Sequence, residues 1–410
     1  MTGQPEHVVV VGAGLGGLRT AEQLRSAGFQ GRISLVGAEP HPPYDRPPLS
    51  KQVLTGEWAP ERARLAAPDA LEDLGVRTHL GLRAVALRSH EAGPGHEVEL
   101  SDGATLHSDA LVVATGFVPR TLPGQLAQVH TLRTLEDAVA LRGTLERVGS
   151  LLVVGGGFIG AEVASAARAR DIAVTVLEAL PVPSVHALGP EVGALAARLL
   201  TEGGVALHTG ALVAGFVEAG DGVCVELADG TQHAADAAVV GIGGVPDLGW
   251  LDGTGLDVRT GMGCGPTGRV HGLAAAWAVG DVAVWDDPVH GDRHRNEHWT
   301  SAGDQAAVVA RDILGAQPPP PAVPYFWSDQ FGLKIQLIGR PDVAGEVVAL
   351  HGAGLDGGPV RGTVVGYLDG EHLAAVAGFG AARFVARYRP LVAARATRTE
   401  TEALAATLNR

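Results

Sequence analysis

Residues 7–11 form an unbroken apolar run. Residues 15–27 place apolar side chains at helical spacing and stop at Gly28, and residues 32–36 form a second apolar run. Short apolar runs of this kind are strands buried on both faces, so the pattern predicts β-α-β with a parallel pairing and a right-handed crossover. The same unit recurs at residues 151–154, 161–169 and 173–177. Further buried strands are expected at 111–114, 239–242 and 276–279, each followed closely by glycine. Gln317 and the four prolines after it read as a stiff extended linker. Beyond it, strands at 334–338, 362–368 and 373–378 and a helix at 381–394 predict a small α+β domain.

The first β-α-β unit lacks enough strands for a sheet until after about residue 242, past the whole second unit. The pattern therefore predicts an α/β chain whose first domain is discontinuous, residues 1–116 and 243–320. A second domain, 117–242, is inserted in it, and a third covers 321–410.

Each β-α-β unit carries a glycine fingerprint at its strand-to-helix turn. The first is Gly12-Ala13-Gly14-Leu15-Gly16-Gly17, the second Gly155-Gly156-Gly157-Phe158-Ile159-Gly160. In such a turn the first glycine leaves the strand, the second admits a pyrophosphate to the backbone, and the last lets helix and strand pack closely. The phosphates then meet free N–H groups and the positive end of the helix dipole. Glu39 lies 22 residues after Gly17, and Glu178 lies 18 after Gly160. A carboxylate there accepts from a ribose 2′-OH and repels a 2′-phosphate. No Arg or Lys stands between Ala179 and Arg198, so the second site is expected to prefer NADH over NADPH. Two such sites in one chain are the layout of an enzyme that moves electrons between a nicotinamide and a flavin.

A chain of 410 residues, 46% hydrophobic, supports more than one core. Its net charge of −14 argues against nucleic acid as a partner. Residues 324–410 hold nine cations to eight anions, while the rest hold 22 to 37, so the arginines of the tail are candidates to meet an acidic partner. The only cysteines, Cys224 and Cys264, form no C-x-x-C pair, which argues against a disulfide framework, a zinc site and a dithiol centre. Residues 1–7 show no leader pattern and no apolar run reaches membrane length, so a cytoplasmic protein is expected.

The segment 42–51, Pro-Pro-Tyr-Asp-Arg-Pro-Pro-Leu-Ser-Lys, is rigid and carries Arg46 and Lys51. A lysine beside a flavin would stabilise charge arriving on the reduced ring. Glu162 opens the helix after the second fingerprint, where a carboxylate is favoured, and an ion pair with Lys51 is expected. Asp281 follows a strand at a glycine turn and could accept from ribityl hydroxyls. Trp299 and Trp327 are scarce residues in a chain only 4% aromatic, suited either to a flavin site or to a core.

Taken together, the chain resembles the FAD-dependent, NADH-using ferredoxin reductases of bacterial oxygenase systems, of the putidaredoxin reductase and biphenyl dioxygenase ferredoxin reductase type. The resemblance rests on the two fingerprints, P-P-L-S-K at 47–51, A-T-G at 114–116, L-R-T-L-E-D-A at 132–138 and V-G-D at 279–281. E-H-W-T-S-A-G-D-Q at 297–305 and F-W-S-D-Q-F-G-L-K-I-Q at 326–336 complete it. It implies two Rossmann-like domains of glutathione-reductase type, for FAD and NAD, and a small α+β C-terminal domain. It also implies FAD contacts at Gly14, Gly16, Glu39, Arg46, Lys51, Val85, Arg133, Asp281 and Trp299. NADH contacts would fall on Gly157, Ile159, Glu162 and Glu178, with Trp327 on the acceptor side and a [2Fe-2S] ferredoxin as acceptor. Residues 180–188 lack the basic residues that relatives carry, and Asp247 stands where they have asparagine. The alternatives are a rubredoxin reductase, an NADH-sensing flavoprotein like the apoptosis-inducing factors, and a disulfide reductase. The last would need a thiol in residues 41–51, where there is none.

Overall fold

The computed structural model describes residues 4–67, 69–89, 95–220 and 222–409. The first three residues, part of the stretch examined for a leader, lie outside the described residues. The chain divides into two compact units. Unit 1 comprises Met1–Asp45, Arg64–Val118 and Gly244–Ala322; unit 2 comprises Arg46–Ala63, Pro119–Gly243 and Val323–Arg410.

Unit 1 is built on a parallel sheet in the order Ala276–Ala278, Ala110–Val113, His7–Val11, Arg32–Gly37, Val76–Leu80. The strand His7–Val11 is buried at every position, as its unbroken apolar run requires. The strand Ala276–Ala278 pairs Trp277 with Val112, which closes the sheet with chain far downstream. The helices Leu15–Ser26 and Trp299–Ile313 share a face of this sheet: Leu18, Ala21 and Leu24 join Val309, Ala310 and Ile313 in one apolar cluster. A three-stranded antiparallel sheet, Ala84–Ser89 with His96–Leu100 and Thr105–Ser108, branches from it.

Unit 2 contains a second parallel sheet, ordered Ala206–Thr209, Ala173–Glu178, Ser150–Val154, Ala237–Val240, Val129–His130. It also contains a five-stranded antiparallel sheet, ordered Tyr325–Gln330, Leu333–Gly339, His372–Phe379, Val364–Asp369, Glu346–His351. The helices Ala382–Ala393 and Arg398–Leu408 cover one face of the antiparallel sheet through Val385, Tyr388, Val392 and Ala405.

The helix Val185–Glu202 joins the two sheets of unit 2. Its stripe Leu188, Val192, Leu195, Ala196 and Leu199 packs on Ile335, Leu337, Tyr367, Ala377 and Phe379 of the antiparallel sheet. Gly189, at φ 73°, and Pro190 kink the helix near its start. At that kink the Leu188 carbonyl accepts a hydrogen bond from the buried Tyr367 hydroxyl, 2.9 Å away. The Arg198 guanidinium donates to the carbonyls of Gly354 and Gly358 at 3.0 and 2.7 Å.

Every strand and helix expected from the apolar pattern is present, with ends shifted by a few residues. The additional elements are short or half-exposed strands, such as Val76–Leu80 and Ala206–Thr209, in which charged and polar side chains interrupt the pattern, and the helices Leu135–Leu145, Val185–Glu202, Trp299–Ile313 and Arg398–Leu408, which were not expected from the sequence.

Candidate functional site

In unit 1 the first fingerprint is shaped by contacts that only glycine permits. Gly12 has φ 119°, and a Cβ there would stand 2.1 Å from the Ala114 carbonyl oxygen. A Cβ on Gly17 would stand 1.9 Å from the Gly12 oxygen, and one on Gly16 would lie 3.2 Å from the Val279 side chain. Gly14 is different: it is the N-cap of the helix Leu15–Ser26, and nothing lies within 4 Å of where its Cβ would be. The helix N-terminus at Gly14 therefore borders open space, as an anion seat requires.

Glu39 follows the strand Arg32–Gly37, and the Tyr44 hydroxyl donates to its carboxylate. The Trp299 indole N–H donates to Asp45 at 2.6 Å. Asp281 sits in the one-turn helix Gly280–Val282, whose Gly280 N–H donates to the buried Gln305 at 2.7 Å. His298 caps the helix Trp299–Ile313; burial pushes its pKa down to about 4, with His294 adding to the shift and Asp281 opposing it. Val85 lies at a bulge, skipped by the ladder between Ala84 and Ala86, with its side chain 44% exposed.

In unit 2 the second fingerprint repeats the design. Gly155 has φ 102°; a Cβ there would meet the Gly241 oxygen at 2.4 Å, and one on Gly160 would meet the Gly155 oxygen at 2.1 Å. Gly157 caps the helix Phe158–Arg168, with only the Gly241 oxygen at 4.0 Å from its would-be Cβ. Ile159 in the first turn is 45% exposed. Glu178 is buried and ties the loop together: it accepts from Gly156 N–H at 2.7 Å and from Leu180 N–H at 2.8 Å. Its carboxylate thus fixes the loop backbone.

The segment 46–63 delivers the remaining cations to unit 2. The sequence Thr134-Leu135-Glu136-Asp137 forms a capping box at the start of the helix Leu135–Leu145. That box orients Arg133, whose carbonyl accepts from the Arg46 guanidinium at 2.5 Å. Lys51 meets Glu162 as the sequence suggested: Nζ lies 2.7 Å from Oε2 and donates also to the Pro47 carbonyl at 3.2 Å. Glu162 is only 3% exposed. Two serines not singled out in the sequence complete its shell, Ser50 donating to Oε2 at 2.5 Å and Ser328 to Oε1 at 2.5 Å. Ser328 could have been found from the alternation of the strand Tyr325–Gln330, in which Ser328 and Gln330 follow Phe326 on the inner face. Trp327, on the other face, stacks on Tyr325 with centroids 5.9 Å apart, and Lys334 lies 5.9 Å from its ring.

Of the expected site residues, Gly12, Gly14, Gly16, Gly17, Glu39, Val85, Asp281 and Trp299 belong to unit 1. Arg46, Lys51, Arg133, Gly155, Gly157, Ile159, Gly160, Glu162, Glu178 and Trp327 belong to unit 2. Both cysteines are buried, and burial pushes the Cys264 thiol up to about 12, which keeps it a thiol at neutral pH. Among the described residues no group of three or more His, Cys, Asp or Glu is arranged to hold a metal, and no helix is long and apolar enough to cross a membrane.

Residues 6–306 match the family model described as pyridine nucleotide-disulphide oxidoreductase, and residues 325–408 match that described as reductase C-terminal. The benzene 1,2-dioxygenase system ferredoxin--NAD(+) reductase subunit of Pseudomonas putida is 38% identical over 346 residues, 83% of this chain and 82% of the relative. The anthranilate 1,2-dioxygenase system ferredoxin--NAD(+) reductase component of Burkholderia cepacia is 37% identical over 400 residues, 94% of each. Among solved structures, putidaredoxin reductase in its covalent complex with putidaredoxin matches with a TM-score of 0.88 and 32% identity, covering 95% of this chain and 93% of that one. The glycine seats, the acids behind them and these likenesses agree: the chain belongs to the pyridine nucleotide-disulphide oxidoreductase family.

Proposed function

We propose that this chain is an NADH-dependent ferredoxin reductase that carries electrons through FAD to a [2Fe-2S] ferredoxin serving an oxygenase. The observation that carries the reading is the pair of glycine loops. Each ends on a helix N-cap, Gly14 or Gly157, with open space where a side chain would stand, so each fits a dinucleotide pyrophosphate. Residues 1–116 and 243–320 hold FAD, residues 117–242 hold NADH, and residues 321–410 form the C-terminal domain.

FAD, when bound, takes a hydride from NADH and releases electrons one at a time. The chain supplies binding, orientation and charge. Gly12, Gly14, Gly16 and Gly17 seat one pyrophosphate; Gly155, Gly157 and Gly160 seat the other, with Ile159 against the nucleotide. Glu39 and Glu178 accept from ribose hydroxyls. Val85, Arg133 and Arg46 support FAD, and Asp281 accepts from its ribityl chain. Lys51, held by Glu162, provides positive charge for the reduced cofactor. Trp299 and Trp327 serve the flavin and the acceptor side. The arginines of the last domain steer an acidic partner, and the protein works in the cytoplasm.

The test is anaerobic reduction by NADH followed by transfer to a [2Fe-2S] ferredoxin. The purified protein is expected to be yellow, to bleach far faster with NADH than with NADPH, and to reduce ferredoxin at a rate that falls with added salt. A polypeptide that stays colourless after reconstitution with FAD would overturn the proposal.

A further inference from the structure

We propose that Ser328 is a positioning residue that sets the Lys51 ammonium through Glu162; this rests on the reading of unit 2 as the NADH side of the enzyme. Glu162 is almost entirely shielded, and three donors converge on its carboxylate. Ser50 and Lys51 share Oε2, and the donor found on Oε1 is Ser328. The direction of the Ser328 hydroxyl is itself fixed. The Gln330 amide donates to Ser328 Oγ at 2.9 Å, so the serine proton is left to point at Glu162. Gln330 and Ser328 are 2% and 0% exposed, so this amide-to-hydroxyl-to-carboxylate chain runs in a buried interior where such bonds strengthen one another.

The carboxylate is therefore held from both sides. The strand Tyr325–Gln330 grips one oxygen, and the turn Pro47–Ser50 with Lys51 grips the other. A second tie fixes the same approach: the Phe331 N–H donates to the Ser165 hydroxyl on the helix Phe158–Arg168 at 2.8 Å. Lys51 has three N–H donors. Glu162 and Pro47 take two of them in described contacts, which leaves the third for a ligand, and the Lys51 side chain as a whole is 13% exposed. Ser328 thus acts through Glu162 on the group that meets the ligand. The neighbouring Trp327 belongs to the same strand, which places the acceptor-side tryptophan and the anchor of the lysine on one rigid element.

The composition makes this measurable. The chain holds 29 arginines and only two lysines, Lys51 and Lys334. Lys334 is 46% exposed and serves as an internal standard for amine labelling. Limiting acetic anhydride on the purified protein, read by peptide mass spectrometry, gives the Lys51-to-Lys334 labelling ratio without any turnover. Losing a hydrogen bond to a charged group is expected to raise that ratio about 10-fold in Ser328→Ala, and to slow flavin reduction by a similar factor with little change in the affinity for NADH. Ser328→Thr keeps the hydroxyl and is expected to stay near wild type in both. Should Ser328→Ala lose the fold, Ser328→Cys carries the same expectation, being of similar volume and a weak donor.

An unchanged ratio in the folded alanine or cysteine variant, or a ratio raised equally by threonine, would overturn the proposal. Failure of the wild type to oxidise NADH would instead overturn the reductase reading, because the labelling ratio needs no NADH.

Discussion

The Trp299 indole donates to the Asp45 carboxylate at 2.6 Å across 254 residues of sequence. The bond ties the first turn of the helix Trp299–Ile313 to the loop after Glu39, and Tyr44 in that loop holds Glu39 in turn. Asp45→Ala is expected to lower stability by about 1–3 kcal/mol, the range for removing a hydrogen bond to a charged group. It should also speed FAD loss on dilution. Asp45→Asn keeps an acceptor oxygen and should recover most of both. Chemical denaturation and flavin fluorescence measure the two effects separately.

The glycines of the first fingerprint divide into positions where a side chain would clash and one, Gly14, where it would meet open space. Gly17→Ala would drive a Cβ to 1.9 Å from the Gly12 oxygen, so it is expected to prevent folding of unit 1. Gly14→Ala meets nothing within 4 Å, and its φ of −85° suits alanine. That variant is expected to melt within a few degrees of wild type while binding FAD far more weakly. Equal FAD affinity would remove Gly14 from the phosphate seat.

Glu178 ties down two loop N–H groups, and the ribose contact proposed for it should separate from that role by substitution. Glu178→Gln retains an acceptor oxygen for one of the two loop N–H groups, whereas Glu178→Ala releases both Gly156 and Leu180. The alanine variant is expected to be the less stable by about 1–3 kcal/mol. Both variants should narrow the preference for NADH over NADPH, because both remove the negative charge. Paired measurements of kcat/KM for the two nucleotides decide this.

His298 makes stability depend on pH. Its folded-state pKa, about 4, lies below the ordinary 6.5, so the fold favours the neutral imidazole. The unfolded chain therefore binds more protons between those values, and stability rises with pH across that window. The stabilisation is complete above about pH 6.5 and is lost as the pH falls toward 4, by about 1–3 kcal/mol. His298→Asn should flatten the slope. His7, His79 and His130 are also pushed down by burial, so the variant keeps a residual slope.

The parallel sheets and both glycine loops were legible because their signals are local: an apolar run, a glycine turn, a helical stripe. The Lys51–Glu162 ion pair was legible as well, from the placement of the two residues in their motifs. What escaped was in part local, the helices Leu135–Leu145, Val185–Glu202, Trp299–Ile313 and Arg398–Leu408, and in part non-local. Ser50 reads as an ordinary polar position and Ser328 at most as an inward strand position, and only the folded chain brings them onto one carboxylate from 112 and 166 residues away. The grouping of residues 46–63 with unit 2 was equally hidden. It depends on Leu54 entering an apolar cluster with Leu151 and Val163, and on Arg170 donating to the Leu54 and Thr55 carbonyls. No pattern within the segment announces those partners.

The kinked helix Val185–Glu202 has a consequence for how this polypeptide can be cut. Its greasy stripe is shared property, half of a hydrophobic joint whose other half arrives more than a hundred residues later. A truncation in the proline tract before residue 322 would bare Leu188, Leu195 and Leu199 to water and strip the Leu188 carbonyl of its tyrosine. The final segment is thus a structural dependency rather than an appendage: fragments lacking it should clump, however intact their nucleotide loops remain.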